Sequence, residues 1–477
     1  MAKSLSYRNS RMAHWNSLAN FKPVVSAPAK QYHSLLNEKI KLMVPANKRV
    51  LELGSGTGDL LSALNPSLGV GLDFSRSMVS RARQKHPHLS FVLGDVHFPP
   101  LQTKFDFVII SDLVNDLWDV QEVLEKLAGL IHDRTRIIMN VYSRVWQFPI
   151  FMATTLGMKS KSHEQNWFTT GDLKNLLDLT NFETVKSEAA ILIPINIPFI
   201  GRLANRILVK LWPFNYFGLT NIIIARPKPS LVSSKTKLNP SVSIIIPARN
   251  EAGNIESIFL QTPNLGDQTE LIFVEGHSKD NTFEKIQEEM DLHPDRRASL
   301  YRQKGIGKAN AVKLGFEVAK GDILMILDSD LSVAPADLKR FYDVIRRGQA
   351  DFVNGVRLVY PMENNSMQYL NLVANKLFSL LFSWLLDQEV KDTLCGTKVI
   401  RRSDYEMLIK HWSEMDIQDP FGDFDLLFGA SKLSLKIVDL PVRYRMRTYG
   451  STNISRWRHG AMLIRMVFLG AARLKFV

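Results

Sequence analysis

The chain has 477 residues, 45% apolar and 22% charged, which excludes a mainly disordered or fibrous protein and leaves room for two or three domains. A single cysteine, Cys395, excludes an internal disulfide and a cysteine-rich zinc site. The formal charge of +13 favours anionic partners: nucleic acid, nucleotides, phospholipid headgroups or acidic glycans.

The opening residues, MAKSLSYRNSRMAHWNSLANF, lack the apolar core of a signal peptide, so the expected location is the cytoplasm. Short apolar runs then alternate with helical patterns. RVLELG (49–54), GVGLDF (69–74), LSFVLGD (89–95), FDFVIISD (105–112) and RIIMNVY (136–142) read as buried parallel strands. SMVSRARQKH and VQEVLEKLAGLI separate them as helices. The stretch 191–218 is apolar, with Arg202, Arg206 and Lys210 spaced by four, which puts three cations on one helix face. That face is either the solvated side of a core-packed insertion or a surface helix that meets anionic lipid or a lipid-linked substrate. Residues 225–243 collect proline, serine and lysine and read as a linker. Beyond them SVSIIIP (241–247), ELIFVEG (270–276) and DILMILD (322–328) are strands, and NAVKLGFEVAK and PADLKRFYDVIRR are helices. The chain therefore reads as two unlike α/β domains, 1–226 and 241–477, joined by 227–240.

In the first half a strand runs into Gly54-Ser-Gly56-Thr-Gly58 and then a helix. A dinucleotide loop needs its third glycine at 59, where Asp59 stands, so a pyrophosphate fits poorly and the acidic Glu52 points to a cationic ligand. Asp73 closes the second strand, where a carboxylate can accept both ribose hydroxyls, and Asp95 closes the third. VLELGSGTGDL, GLDFSRSMVSRAR and FVLGDV resemble the motifs of class I S-adenosylmethionine-dependent methyltransferases, with FDFVIISDLVNDLWD similar to the fourth, over roughly residues 35–145. The resemblance implies a Rossmann-like sheet with S-adenosylmethionine across its carboxyl edge. It implies cofactor contacts at Glu52, Gly54, Gly56, Asp73, Asp95 and Asp112. The methyl acceptor is not legible. His163, Asp112 and Asn115 are polar candidates near it, with no base assigned.

In the second half Asp328 and Asp330 close an apolar strand, and paired carboxylate oxygens at such a bend suit Mg²⁺ or Mn²⁺ bridging a diphosphate. Pro247, Asn250 and Glu251 end the first strand of this half, Glu275 ends the second, and KGIGKANA places Lys308 at a helix start. Together these resemble the family 2 glycosyltransferases of GT-A fold, over about residues 241–460. The resemblance implies a nucleotide-sugar donor bound by Pro247, Asn250, Glu251, Glu275, Lys308 and Asp328. It implies a metal at Asp330 and Asp328, and an acceptor base at Asp423 or Asp425. Gly276 and His277 depart from the family's Asp-Asp-Gly-Ser motif, which leaves the donor nucleotide open.

Residues 365–405, through Ala374-Asn375, Asp392, Gly396 and Arg401-Arg402, are similar to the region that follows the Asp-x-Asp strand in polyprenyl-phosphate sugar transferases, which implies a glycan or polyprenyl-phosphate acceptor. Within them 369–386 is apolar with a polar stripe of Asn371, Asn375, Ser379 and Ser383, read as a helix lying in the membrane plane or buried in the core. From Leu440 onward the chain has no acid and carries Arg443, Arg445, Arg465, Arg473 and Lys475 among its cations, fit for a phosphate-bearing substrate or an anionic membrane surface. No nucleic-acid module pattern appears, so nucleic acid is not an expected partner. The reading is a bifunctional methyltransferase and glycosyltransferase. Its rival is a glycosyltransferase whose first domain is a non-catalytic binding module.

Overall fold

The computed structural model describes residues 2–20, 27–155, 165–231, 238–360, 369–412, 422–445, 449 and 456–477. The chain divides into two compact units, residues 1–234 with 476, and residues 235–475 with 477.

The first unit opens with α1 (Ala2–Asn20) and α2 (Ala27–Met43), followed by β1 (Arg49–Leu53), α3 (Asp59–Ala63), β2 (Leu68–Asp73), α4 (Arg76–Lys85) and β3 (Ser90–Leu93). It continues with β4 (Phe105–Ile110), α5 (Val120–Lys126), β5 (Ile131–Tyr142), α6 (Gln147–Thr155), α7 (Thr170–Leu179), β6 (Phe182–Ala190), α8 (Ile200–Arg206) and β7 (Thr220–Pro227). The strands form one sheet in the order β3-β2-β1-β4-β5-β7-β6, with β7 antiparallel to both neighbours. Parallel strands are covered on both faces, so their side chains are apolar in both directions. Val50, Phe107 and Ile109 pack on Tyr32, Leu36 and Ile40 of α2, while Leu51, Val108 and Ile110 pack with Val123 of α5 and Leu173 of α7. Thr169 and Asp172 form a capping box that starts α7.

The three cations of 191–218 do not share a helix face. Helix α8 stops at Arg206, and Lys210 turns inward to pair with Glu188 and donate to the Ala189 carbonyl at 3.1 Å. A buried ammonium needs such partners, and β6 supplies both.

The second unit contains β8 (Val242–Ala248), α9 (Ile255–Gln261), β9 (Thr269–Glu275), α10 (Thr282–Leu292), β10 (Arg297–Arg302), α11 (Lys308–Val318), β11 (Ile323–Ile326) and α12 (Leu338–Arg346). After them come β12 (Phe352–Val356), α13 (Tyr369–Leu386), β13 (Lys398–Arg401), α14 (Arg402–Trp412), α15 (Asp423–Lys432), β14 (Ile437–Pro441) and α16 (Arg456–Gly470). The sheet order is β10-β9-β8-β11-β13-β12-β14, with β13 antiparallel to β11 and β12. Ile244, Ile246, Phe273 and Met325 form its core with Ile258 of α9 and Phe341 of α12. The strand expected through Asp328 ends at Ile326, so both aspartates lie on the loop beyond it.

Helix α13 has its polarity inverted relative to an ordinary surface helix. Asn375 and Ser379 are buried, and Ser379 and Ser383 donate to the carbonyls of Lys391 and Val390. Val373, Leu377, Leu380 and Leu381 face outward. Beside it α16 exposes Ile464 and Phe468 together with Arg465, and Arg473 is exposed just beyond its end. Among the described residues no helix is long and apolar enough to cross a membrane.

Candidate active sites

In each unit the candidate residues gather at the carboxyl ends of the strands, where the strand order reverses. That crevice is the usual ligand position in open α/β sheets.

In the first unit the reversal lies between β1 and β4. Gly54, Gly56 and Gly58 all have positive φ, and a Cβ built at Gly56 meets nothing within 4 Å, so the loop borders open space. Asp73 ties this loop to the next turn: its carboxylate accepts from Gly56 N at 2.9 Å and Ser75 N at 2.8 Å. Burial raises the Asp73 pKa, and those two amides oppose the rise. Glu52 lies buried beneath the loop, accepts from Leu61 N at 3.1 Å, and is pushed up to about 8, chiefly by burial. The Ser55 hydroxyl is buried against Gly71 and has no hydrogen-bond partner among the described residues. The open face at Gly56, the orphaned hydroxyl and the strand-end acids fit a nucleoside cofactor with a cationic end.

Two N-terminal helices complete this edge. Arg8 of α1 pairs with Asp95 at 3.0 Å, and His97 Nδ1 lies 2.7 Å from the same carboxyl group. Burial would raise the Asp95 pKa, but His97 and Arg8 outweigh it and hold the group below the usual carboxylate range. Asn16 accepts from the Ser75 hydroxyl at 2.7 Å. Asp112, at φ 51°, accepts from Tyr32 Oη and Asn140 Nδ2, both at 2.7 Å, and meets His33 Nδ1 at 3.3 Å. That hydrogen bond raises the His33 pKa. Asn115 is buried and donates to the Asn166 carbonyl at 2.6 Å, while His163 lies outside the described residues.

In the second unit the reversal lies between β8 and β11. Asp328 pairs with Lys308 at 2.5 Å. Burial would raise its pKa, but Lys308, with Arg357 and Lys398 behind it, holds it low. A Cβ at Gly396 would strike both members of that pair, so only glycine lets β13's approach pass over them. Asp330 is buried and accepts from Ser332 N at 3.0 Å; Ser329 donates to the Pro247 carbonyl at 2.8 Å, fastening this loop to β8. Asn250, at φ 56°, accepts from Lys279 N at 2.7 Å, and Glu251 accepts from Asn254 Nδ2 at 2.7 Å. Glu275 accepts from Ser278 N at 2.5 Å and Arg302 Nε at 3.1 Å. Asp423 opens α15, and a Cβ at the preceding Gly422 would lie 2.9 Å from Ala309 Cα, next to Lys308; the Asp423 side chain lies outside the described residues. Asp425 is half-buried, and its charge reaches Tyr405 of α14.

Residues 45–182 match the family model described as "Methyltransferase domain", and residues 243–408 match "Glycosyl transferase family 2". The chain joins a methyltransferase domain to a family 2 glycosyltransferase domain. It is similar to the glycosyltransferase AglD of Haloferax volcanii, 26% identical over 48% of this chain and 37% of that one. It is also similar to the dolichol-phosphate mannosyltransferase of Pyrococcus furiosus, 27% identical over 45% and 59%. A third relative is the undecaprenyl-phosphate 4-deoxy-4-formamido-L-arabinose transferase of Edwardsiella ictaluri, 22% identical over 44% and 62%. The chain thus spans between 37% and 62% of the length of these curated relatives. Among solved structures it is similar to the magnesium protoporphyrin IX methyltransferase of Synechocystis PCC 6803, with 18% identity, TM-score 0.33 and coverage of 47% and 97%. A methyltransferase of Mesorhizobium loti gives 17% identity, TM-score 0.32 and coverage of 40% and 96%.

The glycosyltransferase domain holds a buried network around Asp392, whose partners Arg357, Asn354, Lys398 and Asp439 the sequence reading did not name. Arg357 clamps Asp392 through Nε at 2.7 Å and Nη2 at 2.9 Å, and Lys398 donates to Asn354 at 2.8 Å. Asn354 in turn donates to Asp439 at 2.8 Å. The basic tail divides three ways. Arg445 N donates to the Ser332 carbonyl at 2.9 Å, so Arg443–Arg445 passes the aspartate loop, and Tyr449 lies against Gly253. Lys475 is buried and paired with Asp387, while Arg465 and Arg473 stay exposed. Arg401 is structural, held by the Ile345 carbonyl at 2.8 Å and by Asp351 at 3.4 Å. In the methyltransferase domain Arg8, Asn16, Tyr32 and His33 were missed because they precede the motifs. Asn140 had one signal: it is the polar residue inside the apolar run RIIMNVY.

Proposed function

We propose that this protein is a bifunctional transferase. The first domain transfers a methyl group from S-adenosylmethionine, and the second transfers a sugar from a nucleotide-sugar to a glycan or polyprenyl-phosphate acceptor. The observation that carries the reading is the convergence of strand-end acids at the point of strand reversal in both sheets. In the first domain Gly54 and Gly56 would border the cofactor, Asp73 and Asp95 would serve its ribose and base, and Glu52 and Asp112 its cationic end. In the second, Pro247, Asn250, Glu251 and Glu275 line the donor edge.

A divalent cation would be held there by Asp330 with Asp328 and the donor's own phosphate oxygens, and would supply charge stabilisation to the departing nucleotide diphosphate. Among the described residues no three His, Cys, Asp or Glu side chains form a metal cluster, so the donor must complete the coordination. Lys308, ion-paired to Asp328, orients that carboxylate and adds positive charge at the same edge. Asp423 is proposed as the acceptor base because α15 begins beside Ala309; a phosphate acceptor, already ionised, would not need it.

Two of the similar proteins are named for polyprenyl-phosphate substrates, and Arg443–Arg445 beside the aspartate loop suits such an acceptor. The outward leucines of α13, beside Ile464, Arg465 and Phe468 of α16, support peripheral contact with an anionic membrane. The Arg8–Asp95 pair favours a second reading, in which the first domain no longer binds cofactor and serves as a binding module. Isothermal titration with S-adenosylmethionine separates the two. Mass spectrometry of lipid extracts incubated with a panel of nucleotide-sugars, with and without methyl donor, tests the whole. Sugar-modified lipid that needs Mg²⁺ or Mn²⁺ supports it, and donor turnover unchanged by chelator refutes the metal.

A further inference from the structure

The methyltransferase unit carries an exposed apolar surface that neither catalytic reading uses. One part is Val145 with Phe148, Phe151 and Met152 of α6. The other is Phe199, Ile200 and Leu203 around α8, with Trp212, Tyr216 and Phe217 following it. Trp146 Nε1 donates to the Phe217 carbonyl at 2.9 Å and joins the two parts. Phe148 is 68% exposed, Phe199 89% and Trp212 78%. At about 200 Å² per aromatic side chain, Phe148, Phe151, Phe199, Trp212, Tyr216 and Phe217 together present on the order of 800 Å², above the few hundred of an ordinary monomer's largest patch.

Charge selects the occupant. Neither 143–155 nor 191–218 contains an acid, whereas Arg144 and Arg202 are exposed and Lys210 is consumed by Glu188. Exposed aromatic rings bordered by arginines, with no acid in either segment, match an anionic lipid interface, where amphipathic rings sit at headgroup depth and cations meet phosphate. The position agrees. Both segments leave the carboxyl end of β5 and the paired start of β7, where Tyr142 faces Thr220. Tyr142 also stacks on Tyr32, whose hydroxyl donates to Asp112. The surface therefore begins, at Val145 and Phe217, three residues from Tyr142 and Thr220, beside the polar cluster around Asp112.

We propose that this face docks the methyltransferase unit on an anionic phospholipid bilayer, in addition to the α13 face of the glycosyltransferase unit and independently of either catalytic reading. The test is co-sedimentation of the full chain with vesicles of phosphatidylglycerol and phosphatidylcholine, and with phosphatidylcholine alone. To expose the contribution of this face, it is run both in the parent and in a Leu377→Ser/Leu380→Ser background that weakens α13. In that background Phe151→Ser/Trp212→Ser should lower partitioning at least ten-fold, with unchanged melting showing that the fold persists. Arg144→Glu/Arg202→Glu should weaken binding to the anionic vesicles and leave the neutral ones unchanged. The proposal is overturned if the α13 variant already fails to sediment, or if Phe151→Ser/Trp212→Ser sediments like its background. It is equally overturned if the parent elutes as a dimer that those two substitutions dissociate, because a second copy then covers the face.

Discussion

Replacing Glu52 by glutamine tests the methyltransferase edge at its most buried acid. Glu52 is 5% exposed and its pKa is pushed from an ordinary 4.5 up to about 8. Between those values the native chain keeps a proton that the unfolded chain has released, so stability falls as pH rises through the window and is fully present only below it. At about 1.4 kcal/mol per pH unit, the loss by pH 8 is on the order of 4–5 kcal/mol. Glutamine is neutral throughout, and its carbonyl can still accept from Leu61 N. Glu52→Gln should therefore match the parent near pH 5 and exceed it by a few kcal/mol at pH 8. Urea unfolding is followed from pH 5 to 8.5 on the transition that S-adenosylmethionine shifts, which assigns it to the first unit. A constant gap between parent and variant across that range would refute the reasoning. The cofactor's cationic end should also drive the proton off Glu52. Titration at pH 7 should then give heats that differ between phosphate and Tris by the buffers' ionisation enthalpies. Equal heats would place Glu52 away from the cofactor.

Gly56→Val should cut S-adenosylmethionine affinity at least ten-fold by titration calorimetry, because φ is 49° and the side chain would enter the open face of the loop; parent affinity would remove the loop from the site. Asp330→Asn keeps an oxygen for Ser332 N but loses a full charge, so metal-dependent sugar transfer should fall roughly a hundred-fold while methyl transfer is unchanged; a parent rate sinks the metal assignment. Asp392→Asn strands the Arg357 guanidinium and should cost the second unit about 3–5 kcal/mol in urea at pH 7. Burial raises the Asp392 pKa but Arg357 outweighs it and holds the group low. The parent's advantage is therefore fully present above pH ~4 and should narrow as pH falls below that, toward the lowered folded pKa; a gap as wide at pH ~3 as at pH ~5 contradicts the ion-pair account.

Strands and strand-end acids were legible because their signals are local. A parallel strand buried on both faces concentrates Val, Ile and Leu, and an acid at or just past its end stands out against that run, as Asp73 and Asp328 do. The contacts of α1 and α2 were not legible, since Arg8 reaches Asp95 across 87 residues and Tyr32 reaches Asp112 across 80, and no period links such pairs. The misplaced polar groups teach something further. Lys210 was expected on an outward cationic face, solvated or against lipid, and turned in to Glu188; Ser379 and Ser383 turned in to the carbonyls of Lys391 and Val390, and Asn375 to Asp392. In both cases the inward partner was a backbone carbonyl or a carboxylate that needed a donor, and nothing in the helix's own sequence records that need. A polar stripe therefore marks where hydrogen bonds are required, not where water is. For α13, once its polar side is consumed by the fold, the outward face carries Val373, Leu377, Leu380 and Leu381 beside Lys376, and the proposed membrane contact rests on that face.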